Sequence, residues 1–169
     1  RSRGLGDVYK RQRMKYPDRW LEIYQSLMEL FDLLPHAAII EGYAFLVHGG
    51  IPYNVKSKND IANARALYPN ENLLEQLLWN DPSDNLSEVA PSPRGAGFLF
   101  GKNVTIRFMK LLNVNYVIRS HEPCDGISTN HDGLVTTVFS RKGYPYFNTK
   151  AAFLSLKEKC APYKCAIYF

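Results

Sequence analysis

Two histidines and a tyrosine stand in this chain just beyond apolar runs, and an arginine stands on a loop just ahead of one. In FLVHGG, His48 follows Phe45, Leu46 and Val47 and precedes Gly49 and Gly50, which lets the backbone turn without a Cβ. Ligands of α/β sheets gather at the carboxyl ends of strands. NYVIRSHE delivers His121 in the same way, and VTTVFSRKGY delivers Tyr144. Two neutral imidazoles at neighbouring strand ends can share one divalent transition ion, because nitrogen donors suit zinc, iron and manganese. One histidine after a strand is ordinarily structural. Two of them, each in a sharp turn, leave the structural and the ligating readings equally open on spacing alone. His36, after Leu-Leu-Pro, and His131, in a hairpin turn, read as surface residues. Between the two strand-end histidines, PSPRGAGFLFG carries Arg94. Arginine presents a planar fork that matches phosphate oxygens. A loop arginine is ordinarily solvated, but Pro93 and Gly95 fix the backbone around this one.

The elements that must position these side chains follow from periodicity. Pro17 and Asp18 open a helical segment in which Trp20, Tyr24, Leu27, Met28, Phe31 and Leu34 form one apolar face, as expected for a helix covering a core. The runs Ala37 to Ile40 and Tyr43 to Val47, joined through Glu41 and Gly42, predict a hairpin of buried strands. Ser57 and Asp60 are spaced as a capping box at the start of a helix reaching Leu67, and a second helix runs from about Asn72 to Trp79. Lys102 to Leu112 repeats the helical pattern through Val104, Phe108, Leu111 and Leu112. Strands are expected at Tyr116 to Ile118, Ile127 to Thr129 and Leu134 to Phe139, the last two joined by a turn at His131, Asp132 and Gly133. The Pro-, Ser-, Asp- and Gly-rich stretch from Asn80 to Gly101 reads as one long irregular connection, and such connections are usually functional.

Composition narrows the function classes. A chain of 169 residues that is 46% hydrophobic and 13% aromatic can bury a core, and no apolar run is long enough for a membrane span. The net charge of +5 suggests a nucleic-acid partner only until it is located. Residues 1–15 carry six basic groups against one acid, and the rest of the chain is balanced, so no nucleic-acid partner is expected. Ser2 to Gln12, SRGLGDVYKRQ, looks like an in-frame translation of a sequencing adapter, which makes residues 1–12 a non-native segment for this reading. Cys124, Cys160 and Cys165 are an odd number without metal-site spacing, so reduced thiols and a cytoplasmic protein are expected.

Five ordered segments, FLVHGGIP, LLWNDPSD, PRGAGFLFG, YVIRSHE and LVTTVFSRKGY, together resemble the phosphoprotein phosphatase (PPP) family of serine/threonine protein phosphatases, members of the calcineurin-like metallophosphoesterases. The resemblance runs from about Tyr16 to Phe153. It implies an α/β (α+β) fold, the C-terminal half of a β-sandwich flanked by helices, with a partial phosphoesterase domain over 13–159 and a tail of uncertain role over 160–169. It also implies that His48 and His121 ligate the same one of two divalent ions (manganese, iron or zinc), that Arg94 binds phosphate, that Tyr144 borders the substrate phosphate and that Asp81 lines the cleft. The implied reaction is hydrolysis of phosphoserine and phosphothreonine esters of a phosphoprotein by metal-activated water.

The departures are specific. The GDxHG, GDxxDRG and GNHE motifs that hold the family's remaining ligands do not occur, so a fragment inactive by itself is expected. SRKGYP stands where SAPNYC is usual in eukaryotic members, and RSHE and AGFLFG look like archaeal or other prokaryotic members. A related phosphoesterase acting on dinucleoside polyphosphates and a non-catalytic interaction module are the competing readings.

Overall fold

A computed structural model describes residues 10–156 and 166–168, the last three through their backbone. The chain divides into a unit ending at Pro35 and a unit from His36 onward. In the first, residues 10–15 form helix α1 and Trp20–Leu33 form helix α2. The apolar face of α2 was expected to cover a core, yet none of its residues is fully buried, and Leu30, Phe31 and Leu33 are exposed. Among the described residues of this adapter-like segment, Lys10 and Arg11 are exposed and Gln12 is partly buried.

The second unit is built on a five-stranded sheet of order β1-β2-β6-β8-β7, comprising β1 (Ala37–Ile40), β2 (Ala44–Val47), β6 (Tyr116–Arg119), β7 (Ile127–Asn130) and β8 (Val135–Val138). Strands β1 and β2 form the expected antiparallel hairpin, with Ile40 opposite Ala44. The central strands β2, β6 and β8 run parallel, with Phe45 beside Val117 and Val117 beside Val135. These three residues are fully buried at the centre of the sheet.

Helix α6 (Lys102–Leu112) spans the residues that the periodicity predicts, and Val104, Phe108 and Leu112 join Phe45, Val117 and Val135 in the core. Phe108 meets Phe45 edge to face, with ring centroids 4.9 Å apart. Asn113 ends the helix in the left-handed region at φ 53°, where asparagine is tolerated better than most residues. The Ser57–Asp60 capping box forms reciprocally, though the helix that it opens breaks at Asn63 into α3 (Lys58–Ala62) and α4 (Ala64–Leu67). Helix α5 (Leu73–Trp79) adds Leu73 and Leu77 to the core.

The stretch expected to be irregular, from Asn80 to Gly101, instead holds a second sheet. Strands β3 (Asp81–Pro82), β4 (Val89–Pro91) and β5 (Phe98–Phe100) form it in the order β3-β5-β4. Strand β9 (Ala152–Leu154) pairs antiparallel with β10 (Ala166–Tyr168), which lies in the tail left without a role by the sequence. Cys160 and Cys165 lie outside the described residues; Cys124 is a free thiol, pushed above its ordinary range by burial. No helix among the described residues is long and apolar enough to cross a membrane.

Candidate active site

The register of two parallel strands brings the histidines together. Leu46 of β2 lies beside Ile118 of β6, His48 follows one residue after β2 ends, and His121 follows two residues after β6. The turns are tied by the Ser120 amide, which donates to the His48 carbonyl at 3.1 Å. His121 sits in the left-handed region at φ 67°, a conformation that a β-carbon makes costly and that is kept at positions which surrounding contacts over-determine. As a result Nε2 of His48 lies 3.3 Å from Nδ1 of His121. Trp79 packs edge-on against the His121 ring, with centroids 5.3 Å apart.

The turn after His48 is held from below by α5. Gly49 donates its amide to the Leu77 carbonyl at 2.8 Å, and a Cβ built on Gly49 would stand 2.4 Å from the Leu78 carbonyl carbon. Glycine is required there by close approach of backbone, its φ not being positive. Gln76 accepts from the Tyr53 amide at 3.0 Å, and buried Asn80 donates to the Ile51 carbonyl at 2.8 Å while accepting from the Phe98 amide at 2.8 Å. One helix end thus anchors both the His48 turn and the strand following the Arg94 loop.

Arg94 reaches into the same corner. Its Nη1 lies 3.2 Å from Nε2 of His121, its Nε lies 3.3 Å from Asp81 Oδ2, and its Nη2 lies 3.8 Å from Glu122 Oε1. Beneath it, fully buried Arg119 bonds Asp81 Oδ1 at 2.7 Å and Glu122 Oε2 at 2.6 Å, and its Nε donates to the Gly49 carbonyl. Reading the sequence did not single out Arg119 or Glu122. A lone arginine closing the apolar strand YVIR was the available signal, because a buried arginine must find carboxylates or carbonyls.

Electrostatics fix the proton positions. Burial, followed by the nearby Arg119 charge, holds His48 below its ordinary pKa, with Asp81 opposing. Burial is also the main cause that lowers His121 to about 4, against the opposing pull of Asp81. Both rings are therefore neutral near pH 7. A guanidinium can only donate, so Nε2 of His121 accepts from Arg94, and the proton of the neutral ring is on Nδ1, facing Nε2 of His48. Glu122 is raised, by burial first and then by Asp81, while Arg119 and Arg94 oppose the shift.

Of the residues singled out in advance, His48, His121, Arg94 and Asp81 are gathered here. Tyr144 is not among them: it is 70% exposed and its ring meets Phe147, with centroids 6.0 Å apart. His131, expected at the surface, is 2% exposed. Its ring bonds Thr105 of α6 through Nδ1 at 2.9 Å and the Ser83 carbonyl through Nε2 at 3.2 Å, and its amide donates to Asp84 at 2.6 Å. The turn that carries it is thereby fastened to α6 and to the exit of β3, which accounts for the burial.

Two donors on one ion at roughly 2.0–2.1 Å lie about 3 Å apart. The facing nitrogens of His48 and His121, 3.3 Å apart, fit that spacing. To offer Nδ1 to an ion, His121 must carry its proton on Nε2, and the Arg94 N–H must then leave that nitrogen. Among the described residues no group of three or more His, Cys, Asp or Glu is placed to hold an ion, and Asp81 and Glu122 are already held by the arginines. The residues present fit a metal as two of its ligands.

The family model for calcineurin-like phosphoesterases matches residues 6–125. The chain is 34% identical over 152 residues to the serine/threonine-protein phosphatase PP2A-like PPG1 of Saccharomyces cerevisiae, covering 81% of this chain and 41% of that protein. It is 37% identical over 127 residues to the catalytic subunit of serine/threonine-protein phosphatase 4 from Kluyveromyces lactis, covering 73% and 41%. It is 37% identical over 163 residues to serine/threonine-protein phosphatase 5 of Arabidopsis thaliana, covering 90% and 29%. The chain therefore spans less than half the length of each of these relatives. A solved Saccharomyces cerevisiae protein serine/threonine phosphatase, described as similar to human phosphatase PP5, superposes with a TM-score of 0.72 at 25% identity, over 93% of this chain and 52% of its own. These relatives are eukaryotic, and they lend no support to the prokaryotic or archaeal branch expected from RSHE and AGFLFG. Matched by the family model over most of its length and folded like a solved phosphatase, this chain belongs to the calcineurin-like phosphoesterase family.

Proposed function

We propose that this chain supplies the phosphate-binding corner of a metal-dependent serine/threonine protein phosphatase that hydrolyses phosphoserine and phosphothreonine esters. The observation that carries the reading is the placement of Arg94 against His121, whose other nitrogen faces His48. That geometry sets a guanidinium, which is able to meet an anion, beside two imidazoles spaced so that they could share one ion. His48 and His121 would hold one of two divalent ions, which when bound supply Lewis acidity and an activated water. The nature of the ions is left to manganese, iron or zinc, all of which accept imidazole.

The chain's own groups have separable parts. Arg94, half-exposed, is the group that can meet the equatorial oxygens of a phosphoryl group, where charge grows in the transition state. Asp81 accepts from Arg119 and forms an ion pair with Arg94, its carboxylate nearly inaccessible to solvent. Trp79 walls one side of the His121 ring. Tyr144 would border the phosphate only after its loop, residues 140–147 in an exposed stretch, turned toward Arg94. A phosphoprotein is the proposed substrate, and regulatory subunits of the kind known for phosphatase catalytic subunits are candidate partners.

Manganese-dependent hydrolysis of a phosphoserine peptide tests the proposal. With only two of the required ligands among its described residues, the chain alone is expected to be inactive. Joined to the complementary half of the Arabidopsis relative, it is expected to turn over, and Arg94→Ala in the joined protein is expected to lower kcat by about two to three orders of magnitude. Equal activity of the joined protein and the chain alone, or an unaffected Arg94→Ala variant, would contradict the assignment.

A further inference from the structure

Four charged groups close a ring at the mouth of the site: Arg94 to Asp81, Asp81 to Arg119, Arg119 to Glu122, and Glu122 back to Arg94. The two members deepest in the ring, Arg119 and Asp81, have side chains 0% and 3% exposed, whereas Arg94 and Glu122 are 38% and 35% exposed. Arg119 takes the short bonds, at 2.7 Å to Asp81 and 2.6 Å to Glu122. The second oxygen of each acid is left to Arg94 at 3.3 Å and 3.8 Å. Two cations and two anions sum to zero, so an arriving anion meets a guanidinium whose charge is already shared.

We propose that Glu122 restrains Arg94 and weakens the hold of this site on a phosphate group, so that bound phosphate is released. The proposal rests on the active-site reading of Arg94 and goes beyond it by assigning the regulation of that contact to a neighbouring acid. Asp81 cannot serve as the adjustable member, because it is buried and is the counter-ion that both arginines share. Glu122 reaches solvent, lies directly after His121 and touches Arg94 over the longest gap in the ring, so its contact is the one that a phosphate oxygen can most readily replace. Removing its charge leaves Arg119 paired with Asp81 and the Gly49 carbonyl, and leaves the ring with one net positive charge.

Inorganic phosphate titrated into the full chain at fixed ionic strength, with binding followed by isothermal titration calorimetry, tests this. Glu122→Gln is expected to bind phosphate about three- to tenfold more tightly, or about 0.7 to 1.4 kcal/mol. Glu122→Asp, which keeps the charge but draws it back from Arg94, is expected to fall between the two. Affinity that rises on mutation is not what damage to the fold produces. An unchanged or weaker affinity in Glu122→Gln, while Arg94→Ala abolishes the response, would overturn the role of Glu122 and leave the site reading standing. Undiminished phosphate binding by Arg94→Ala would overturn both. Should Glu122→Gln not fold, Glu122→Asp decides in the same way, and an affinity equal to that of the unaltered chain rejects the proposal.

Discussion

A guanidinium that can only donate decides where the proton of His121 is. Arg94 occupies Nε2, so the neutral ring keeps its hydrogen on Nδ1 and shares it with His48. Burial makes that neutral form the stable one and brings the His121 pKa from 6.5 to about 4. An unfolded chain would take up a proton on this ring near 6.5 while the folded chain waits until about 4. The folded state thus loses stability as pH falls through that window and holds the full contribution above it. His48 and His131 shift in the same direction and add to the loss. Ring-resolved NMR titration is expected to give a His121 midpoint near 4, and acid sensitivity between about 6.5 and 4 is expected to be smaller in His121→Asn. A midpoint of 6 or above would mean that the ring is not held in this corner.

At the scale of elements, parallel pairing of β2 with β6 does what no single motif does: it sets two strand ends side by side. The floor beneath them is α5, pressed so closely on Gly49 that a methyl group has no room. Gly49→Ala is accordingly expected to destabilise the fold by about 3 kcal/mol, measured by chemical denaturation; a loss within about 0.5 kcal/mol, as at ordinary surface positions, would show that the turn can open. Much of this was legible beforehand. Helix α6 was readable to the residue, because its apolar spacing through Val104, Phe108, Leu111 and Leu112 is a local signal. The Ser57 box was equally local, as were the histidines behind apolar strands. The second sheet was not legible, since strands of two or three residues such as Asp81–Pro82 show no period and draw their pairing from Leu99 and Phe100 far along the chain. For the same reason the hairpin histidine was misjudged: the partners that bury His131, Thr105 and Ser83, are 26 and 48 residues away. Arg119 escaped notice because Asp81 and the Gly49 carbonyl, which show its role, are 38 and 70 residues away, and Glu122 because its tie to Arg94 crosses between loops.

Across the whole molecule, function depends on charge placed locally, for the net +5 is carried by the first fifteen residues and the site itself is a balanced ring. Under the proposed function, the two imidazoles, the Arg94 guanidinium and their carboxylate partners would make a corner of a phosphoesterase site. They do not make a complete metal centre among the described residues. We propose that His48 and His121 ligate one ion through the two nitrogens that face each other, with Arg94 freed toward phosphate as they do so. Zinc titrated into the chain, with imidazole nitrogen-15 shifts read for each ring, tests it most directly. The expected result is that Nε2 of His48 and Nδ1 of His121 shift together, with the stoichiometry of one ion, while His36 and His131 stay unmoved. A response confined to one of the two rings, or carried by their outward-facing nitrogens, would contradict the claim.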